Sequence, residues 1–187
     1  VLLGLLLLWP LILGLVALLK IMDPGPVLYG HRRVGFGGRE FRCWKFRTMV
    51  VDGDAVLERH LRENPAAAAI WREQRKLVDD PRVTPLGAVL RKLSLDELPQ
   101  LLNVLKGEMS LVGPRPLPLR DFERLDSWHK KRYLVLPGIT GLWQVSGRSD
   151  LSWEDAVRLD LYYVENWSPV QDVIIMLRTV RAVFASE

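Results

Sequence analysis

Residues 94–116 read SLDELPQLLNVLKGEMSLVGPRP, and two features of this stretch organise the rest of the chain. Ser94-Leu95-Asp96-Glu97 matches the S-x-x-E capping box, and Leu95, Leu98, Leu102 and Leu105 recur at helical spacing until Gly107. The pattern predicts one helix from Ser94 to Gly107, with Asp96 and Glu97 in its first turn. In the plainer reading Glu97 closes the box and Asp96 favours the helix dipole, an effect of about 0.3–1 kcal/mol. In the sharper reading the helix start, with Arg91 and Lys92 nearby, holds both carboxylates ionised, as a nucleophile or a Mg²⁺ ligand must be. Arg115, fixed between Pro114 and Pro116, offers a planar fork suited to a phosphate, or is a surface arginine in a rigid turn.

Upstream, Asp79-Asp80-Pro81-Arg82 forms a turn, and Thr84-Pro85 has the residues of a helix cap and first helical position, opening a short helix that ends at Arg91 and Lys92. Residues 53–78 read as a helix interrupted near Asn64-Pro65, with mixed charges typical of a solvated face. Before that, DPGP at 23–26 stops any helix, and Gly35 to Gly38 separates two β-prone runs, as in a hairpin. A phosphate-cradling loop would need the terminal Lys-Ser/Thr of a P-loop, which is missing.

Residues 1–19, VLLGLLLLWPLILGLVALL, carry no charge and end at Lys20, about the length that crosses a bilayer as a helix. Pro10 sits at the middle, where its missing N–H and its clash with the carbonyl of Leu6 would kink or break the helix. A transmembrane helix that tolerates a proline is the commoner object, and a helix that bends at Pro10 and returns is the alternative, each half reaching only mid-bilayer. Arg32, Arg33, Arg39, Arg42, Lys45 and Arg47, set against Asp23 and Glu40, put the following segment on the cytoplasmic side by the positive-inside rule. The opening valine, inside the apolar run, suggests a piece of a longer protein.

The chain of 187 residues has room for one compact domain, residues 21–187, after the apolar element at 1–20. A formal net charge of +4 suits a surface facing anionic lipid, nucleotides or other polyanions, and no nucleic-acid recognition motif is visible. A single cysteine, Cys43, excludes an intrachain disulfide, and the three histidines lack metal-ligand spacing. Downstream, PGITGLWQVSGR at 137–148 reads as a loop whose Trp143 could stack on a base or meet lipid, with Gln144 and Arg148 as donors. Two further helices are expected, from Ser152 to about Asn166 and from Ser168-Pro169 through Phe184. The second carries Val170, Val173, Ile174, Leu177, Val180 and Phe184 on one broad side, with Arg178 and Arg181 elsewhere, for core packing or membrane-surface docking.

DPGPVLYGHRRVG, KFRTM, DPRVTPLGAVLRKLSLDELPQLLNVLKGEMSLVGPRP, PGITGLWQV-GR and DLYYVENWS, in this order after a proline-broken apolar run, resemble the bacterial sugar transferases over essentially the whole chain. These are the monotopic phosphoglycosyl transferases, which move a sugar 1-phosphate from a UDP-sugar to undecaprenyl phosphate. The resemblance implies an α/β fold, mostly helical with a small β element, on the cytoplasmic face of the bacterial inner membrane. It also implies a re-entrant helix broken at Pro10, which takes precedence over the straight span, although Trp9 stands where the family pattern leads one to expect serine. By the same resemblance Asp96 is the attacking aspartate and Glu97 its partner in Mg²⁺ binding. Lys45, Arg47, Thr48, Arg115, Gln144 and Arg148 line the phosphate and nucleotide pocket, and Asp160 is a further candidate. UDP-sugar, undecaprenyl phosphate and membrane lipid are the implied partners, nucleic acid is not one, and a homodimer is compatible with the sequence. A non-catalytic membrane-associated module for nucleotides or polyanions is the alternative that basic charge and a capped helix would also satisfy.

Overall fold

The computed structural model describes residues 2–75, 77–123, 125–147 and 151–184. Helix α1, Leu2–Met22, runs through Pro10 as one helix without the expected break, and the DPGP turn then leads into the hairpin of β1, Leu28–Val34, and β2, Glu40–Phe46. The hairpin is antiparallel, with Tyr29 opposite Lys45 and His31 opposite Cys43, and its connection turns through Gly37 and Gly38, both at positive φ. Helices α2, Gly53–Glu63, and α3, Pro65–Gln74, divide at Asn64-Pro65 as the proline requires. Helix α4, Pro85–Lys92, begins with the cap its sequence implies, Thr84 Oγ1 accepting from the Gly87 amide at 2.9 Å.

The expected single helix from Ser94 to Gly107 is two pieces. A 3-10 turn, Leu95–Glu97, precedes α5, Gln100–Leu105, because Pro99 brings no N–H to continue the ladder. The capping box does not form: Ser94 adopts a left-handed conformation (φ 54°, ψ 18°) without a side-chain cap, and Glu97 points elsewhere. Burial shifts with the break. Leu95 and Leu98 pack inward, whereas Leu102 and Leu105 are largely exposed and Gln100, Leu101 and Asn103 are buried.

Strand β3, Ser110–Val112, pairs in parallel with β5, Gly138–Thr140, so the first part of the segment expected to be a loop is sheet. A Cβ on Gly138 would lie 2.1 Å from the Gly113 amide nitrogen, and this close approach is why glycine stands there. Between them β4, Leu117–Pro118, adds to the free edge of β1, followed by α6, Leu119–Phe122. The chain closes with α7, Trp153–Glu165, capped by Ser152, and α8, Pro169–Phe184. Asp172 joins these two helices by accepting from the Tyr163 hydroxyl at 2.8 Å and the Trp167 indole at 3.1 Å.

Three apolar clusters hold these parts together. In the first, Leu15 and Leu19 of α1 pack against Phe46 and Leu90, with Leu95 and Leu98 alongside. In the second, Val34 and Leu117 meet Leu125 and Tyr133, and in the third Val112, Tyr163 and Ile175 meet. One face of the C-terminal half of α1, Leu15 and Leu19, is therefore core, whereas Leu6, Leu7, Trp9 and Leu13 lie 55–69% exposed. Among the described residues, no helix is long and apolar enough to cross a membrane.

The outer edge of β2 is closed by one side chain. Asn103, fully buried, accepts from the Trp44 amide at 3.0 Å and donates to the Arg42 carbonyl at 2.7 Å, standing in for a neighbouring strand. Its amide also donates to Glu108 at 2.6 Å. Asn103→Ala is expected to leave a buried N–H and C=O unpaired and to lower stability by about 2–4 kcal/mol, measured by denaturant unfolding in detergent micelles.

Candidate active site

Strand β2 and the 3-10 turn deliver the central groups from opposite sides. Lys45 Nζ lies 2.6 Å from Glu97 Oε1 and 3.4 Å from Asp96 Oδ2, and Arg115 donates to Glu97 Oε1 at 2.7 Å. Glu97 thus sits between two cations, and it is this pairing that draws its side chain away from the Ser94 amide. Burial raises the Glu97 carboxyl, but Arg115 and Lys45 outweigh it and hold the group at about 2 against an ordinary 4.5. Asp96 shifts the other way: burial pushes it up, Lys45 pulls it back, and the neighbouring charge of Glu97 raises it again. No cap forms at this turn, so the helix start is not what acts on the carboxylates, and the two adjacent groups are shifted in opposite directions by their surroundings.

Asp96 and Glu97 line a groove of about 750 Å³ with Lys45, Arg91, Tyr29 and His31. Burial and the neighbouring Arg33 lower the His31 pKa, so its ring is neutral at physiological pH. Arg47 and Thr48 also line the groove, but their polar atoms are committed to the scaffold. Arg47 bonds to the Asp23 carboxylate at 2.7 Å and to the carbonyls of Asp23, Pro26 and Met49, locking the exit turn of α1 onto the end of β2. Thr48 Oγ1 accepts from Arg91 Nε at 2.8 Å, and its carbonyl accepts from the Thr84 amide. Helix α4 is pressed so closely here that a Cβ on Gly87 would lie 2.1 Å from the Thr48 oxygen.

Arg115 owes its position to two arginines absent from the candidate set. Arg132 donates to the Arg115 carbonyl at 2.9 Å, and Arg33 to the Pro116 carbonyl at 3.1 Å. Arg132 is itself paired with Asp160, both nearly inaccessible. Burial pushes the Asp160 carboxyl up to about 7 against the pull of Arg132. Asp160 is therefore an interior partner that positions the Pro-Arg-Pro turn through Arg132, at a remove from the groove. Gln144 donates to the Ile139 carbonyl at 3.1 Å and is not among the groove-lining residues. Arg148 lies outside the described residues.

Arg33 lies on the face of β1 that carries Tyr29 and His31, opposite the fully buried Val34, so alternation alone did not single it out. Arg132 had no signal either, because HKKRY reads as a surface charge run. For a divalent cation the donor set is two adjacent carboxylates, and among the described residues no cluster of three or more His, Cys, Asp or Glu occurs. One or two carboxylates completed by substrate phosphate oxygens is the usual arrangement for Mg²⁺, so the residues fit that ion but do not make a cage of their own.

A buried Asp96 and a partly buried Glu97, paired with Lys45 and Arg115, thus face a groove that also carries Arg33, Arg47, Arg82 and Arg91. The chain belongs to the bacterial sugar transferase family, whose model matches residues 1–186. It is 52% identical over 184 residues to the exopolysaccharide production protein ExoY of Sinorhizobium fredii, covering 98% of this chain and 81% of that protein. It is 48% identical over 161 residues to the undecaprenyl-phosphate galactose phosphotransferase of Salmonella typhimurium, covering 86% of this chain and 34% of the relative. Against the UDP-N-acetylgalactosamine-undecaprenyl-phosphate N-acetylgalactosaminephosphotransferase of Aeromonas hydrophila it is 37% identical over 180 residues, 93% of this chain and 39% of that one. The protein is thus a sugar transferase by family.

The depressed Glu97 pKa carries a stability term with a definite sign. A carboxyl held at about 2 in the fold and near 4.5 when unfolded stabilises the protein above pH 4.5, and this contribution is lost as pH falls through about 2. Wild type is expected to exceed Glu97→Gln by roughly 3 kcal/mol near neutral pH and to lose that advantage progressively below about pH 4, in unfolding measured across pH.

Proposed function

We propose that this protein transfers a sugar 1-phosphate from a UDP-sugar to undecaprenyl phosphate, releasing UMP and giving undecaprenyl-diphosphate-sugar, a first membrane step of exopolysaccharide, capsule or O-antigen synthesis. The single observation that carries the reading is the Asp96–Glu97 pair, which lines a basic groove together with Lys45 and Arg91 while Arg115 holds Glu97 from behind the groove wall. The names of the Salmonella and Aeromonas relatives support the lipid acceptor and, for the latter, a UDP-sugar donor.

In the proposed reaction an Asp96 carboxylate oxygen attacks the β-phosphorus of the UDP-sugar. The bond from that phosphorus to the bridging oxygen breaks, and UMP leaves with the oxygen. The phosphosugar is then an acyl phosphate on Asp96. A phosphate oxygen of undecaprenyl phosphate attacks the same phosphorus, and cleavage of the Asp96 oxygen–phosphorus bond restores the carboxylate. Lys45 orients the attacking carboxylate, and Arg115 offers its guanidinium to the transferring phosphoryl group. Glu97, with Asp96 beside it, would hold Mg²⁺ together with diphosphate oxygens, and the ion would offset the diphosphate charge. The apolar helix α1 serves in this reading as the anchor, re-entrant at Pro10 as the resemblance implies although the helix runs through Pro10 in the structure, and its packing beside the carboxylate turn keeps Asp96 near the headgroup plane where a polyprenyl phosphate presents its phosphate.

The test is UMP release from a panel of UDP-sugars with Mg²⁺ and undecaprenyl phosphate in nanodiscs. Wild type is expected to release UMP with one or a few of the donors, and Asp96→Asn to lose at least about 10³-fold of that rate. Intact-mass analysis without acceptor should show a phosphosugar adduct on wild type and none on the variant. UMP release that survives in Asp96→Asn would overturn the covalent route, and folded protein that releases none would leave a polyanion-binding module in its place.

A further inference from the structure

The groove has two arms that meet at Lys45. Beyond Lys45 along β2 it runs past Thr48, Met49 and Val50 to Gly53 and Arg82, with Arg91 also in its lining. In the other direction it ends against β1, at Tyr29, His31 and Arg33. Strand register fixes what stands beside the reacting atoms in that short arm. Tyr29 is the direct cross-strand partner of Lys45, and His31, opposite Cys43, is the diagonal neighbour of Lys45 at about 7–8 Å. Opposite residues of an antiparallel pair project from one face, so both rings share the face of Lys45, whose Nζ reaches Asp96 and Glu97.

These two rings differ in chemistry from the cations around them. Arg33 donates to the Pro116 carbonyl, and Arg47 is committed to Asp23 and to three carbonyls. His31 Nδ1, by contrast, is shielded from solvent and has no hydrogen-bond partner. Nε2 is therefore the nitrogen that the ring can present to a ligand, as donor or acceptor according to the tautomer. Burial and Arg33, then Lys45, keep the imidazole neutral. Tyr29 is 55% exposed, and its ring centroid lies 6.2 Å from that of His31 with the planes tilted by 58°.

The geometry points to Tyr29 and His31 as the residues that read the transferred sugar of the donor, His31 Nε2 by pairing with a ring hydroxyl and Tyr29 by laying its ring against the sugar's C–H face, an assignment that rests on the transferase reading. Connectivity selects the sugar over the other parts of the donor. The β-phosphorus at Asp96 carries the sugar directly, whereas uracil is separated from it by a second phosphate and a ribose. The longer arm, with Arg91 and Arg82, has the length and the charge for those parts. Charge agrees with this division. A phosphate oxygen is best met by a cation, whereas a hydroxyl, donor and acceptor at once, is matched by a neutral ring nitrogen in either role. A pyranose offers a C–H surface and a rim of hydroxyls, and an exposed aromatic ring next to a neutral imidazole answers both. A site that hydrogen-bonds a particular hydroxyl discriminates against an epimer that misplaces it, so this arm is where donor choice would be made.

The test is titration calorimetry in nanodiscs, in an Asp96→Asn background so that no donor is cleaved, comparing UDP with a panel of UDP-hexoses. His31→Ala is expected to weaken the preferred UDP-hexose about tenfold while UDP stays within about twofold. Its preference over the weaker-binding epimers should narrow by about the same factor. His31→Gln, which can place an amide near the Nε2 position, should recover most of the loss, and it keeps the test open if the alanine variant unfolds. Parallel losses for UDP and UDP-hexose would assign the ring to the nucleotide and overturn the proposal. Affinities and preferences unchanged in both His31→Ala and Tyr29→Ala would overturn it equally. Failure of the transferase reading looks different: protein with His31 intact would then bind no UDP-hexose at all, whereas binding that is present and indifferent to both rings removes only their role in reading the sugar.

Discussion

Glu97 lies between Lys45 and Arg115, and much of the site depends on that convergence. Lys45 arrives on β2, whose outer edge is closed by Asn103, and Arg115 arrives on a Pro-Arg-Pro turn held by Arg33 and Arg132. A carboxylate buried among apolar walls would ordinarily take up a proton. Two cations at hydrogen-bond distance reverse that tendency for Glu97, and the charge so fixed then helps to raise the pKa of Asp96. Neighbours in sequence are thereby given different acidities by their surroundings.

The same convergence explains why the local rule for the turn failed. The capping box is a contact within one helix, worth about 1 kcal/mol, whereas Glu97 has two long-range ionic partners in a poorly solvated place. Tertiary contacts won, Ser94 rotated into the left-handed region, and Pro99 divided what periodicity joined.

Much else was legible. Thr84-Pro85, Asn64-Pro65, Gly37-Gly38 and Ser152 marked their boundaries because caps and turns are decided by a few adjacent atoms. Asp96, Glu97, Lys45 and Arg115 were legible as a group only through the resemblance, since nothing local says that residue 45 meets residue 97. The parallel β3–β5 pair was hidden inside a glycine-rich segment, where each strand is only three residues long and β5 opens on Gly138, too short for alternation to show. Asp160 carried the right charge for the wrong place. Its burial against Arg132 depends on how α7 packs, and no spacing encodes that.

Leu15 and Leu19 of α1 share one cluster with Leu95, next to Asp96, and Arg47 ties the exit turn of the same helix to β2. Helix α1 and the carboxylate turn are consequently joined by a shared apolar cluster and an ion-paired exit turn rather than by a free linker. Under the proposed membrane placement, that packing would set the height of Asp96 over the bilayer, and a layer of different thickness would be met by deformation of the lipid rather than of the site.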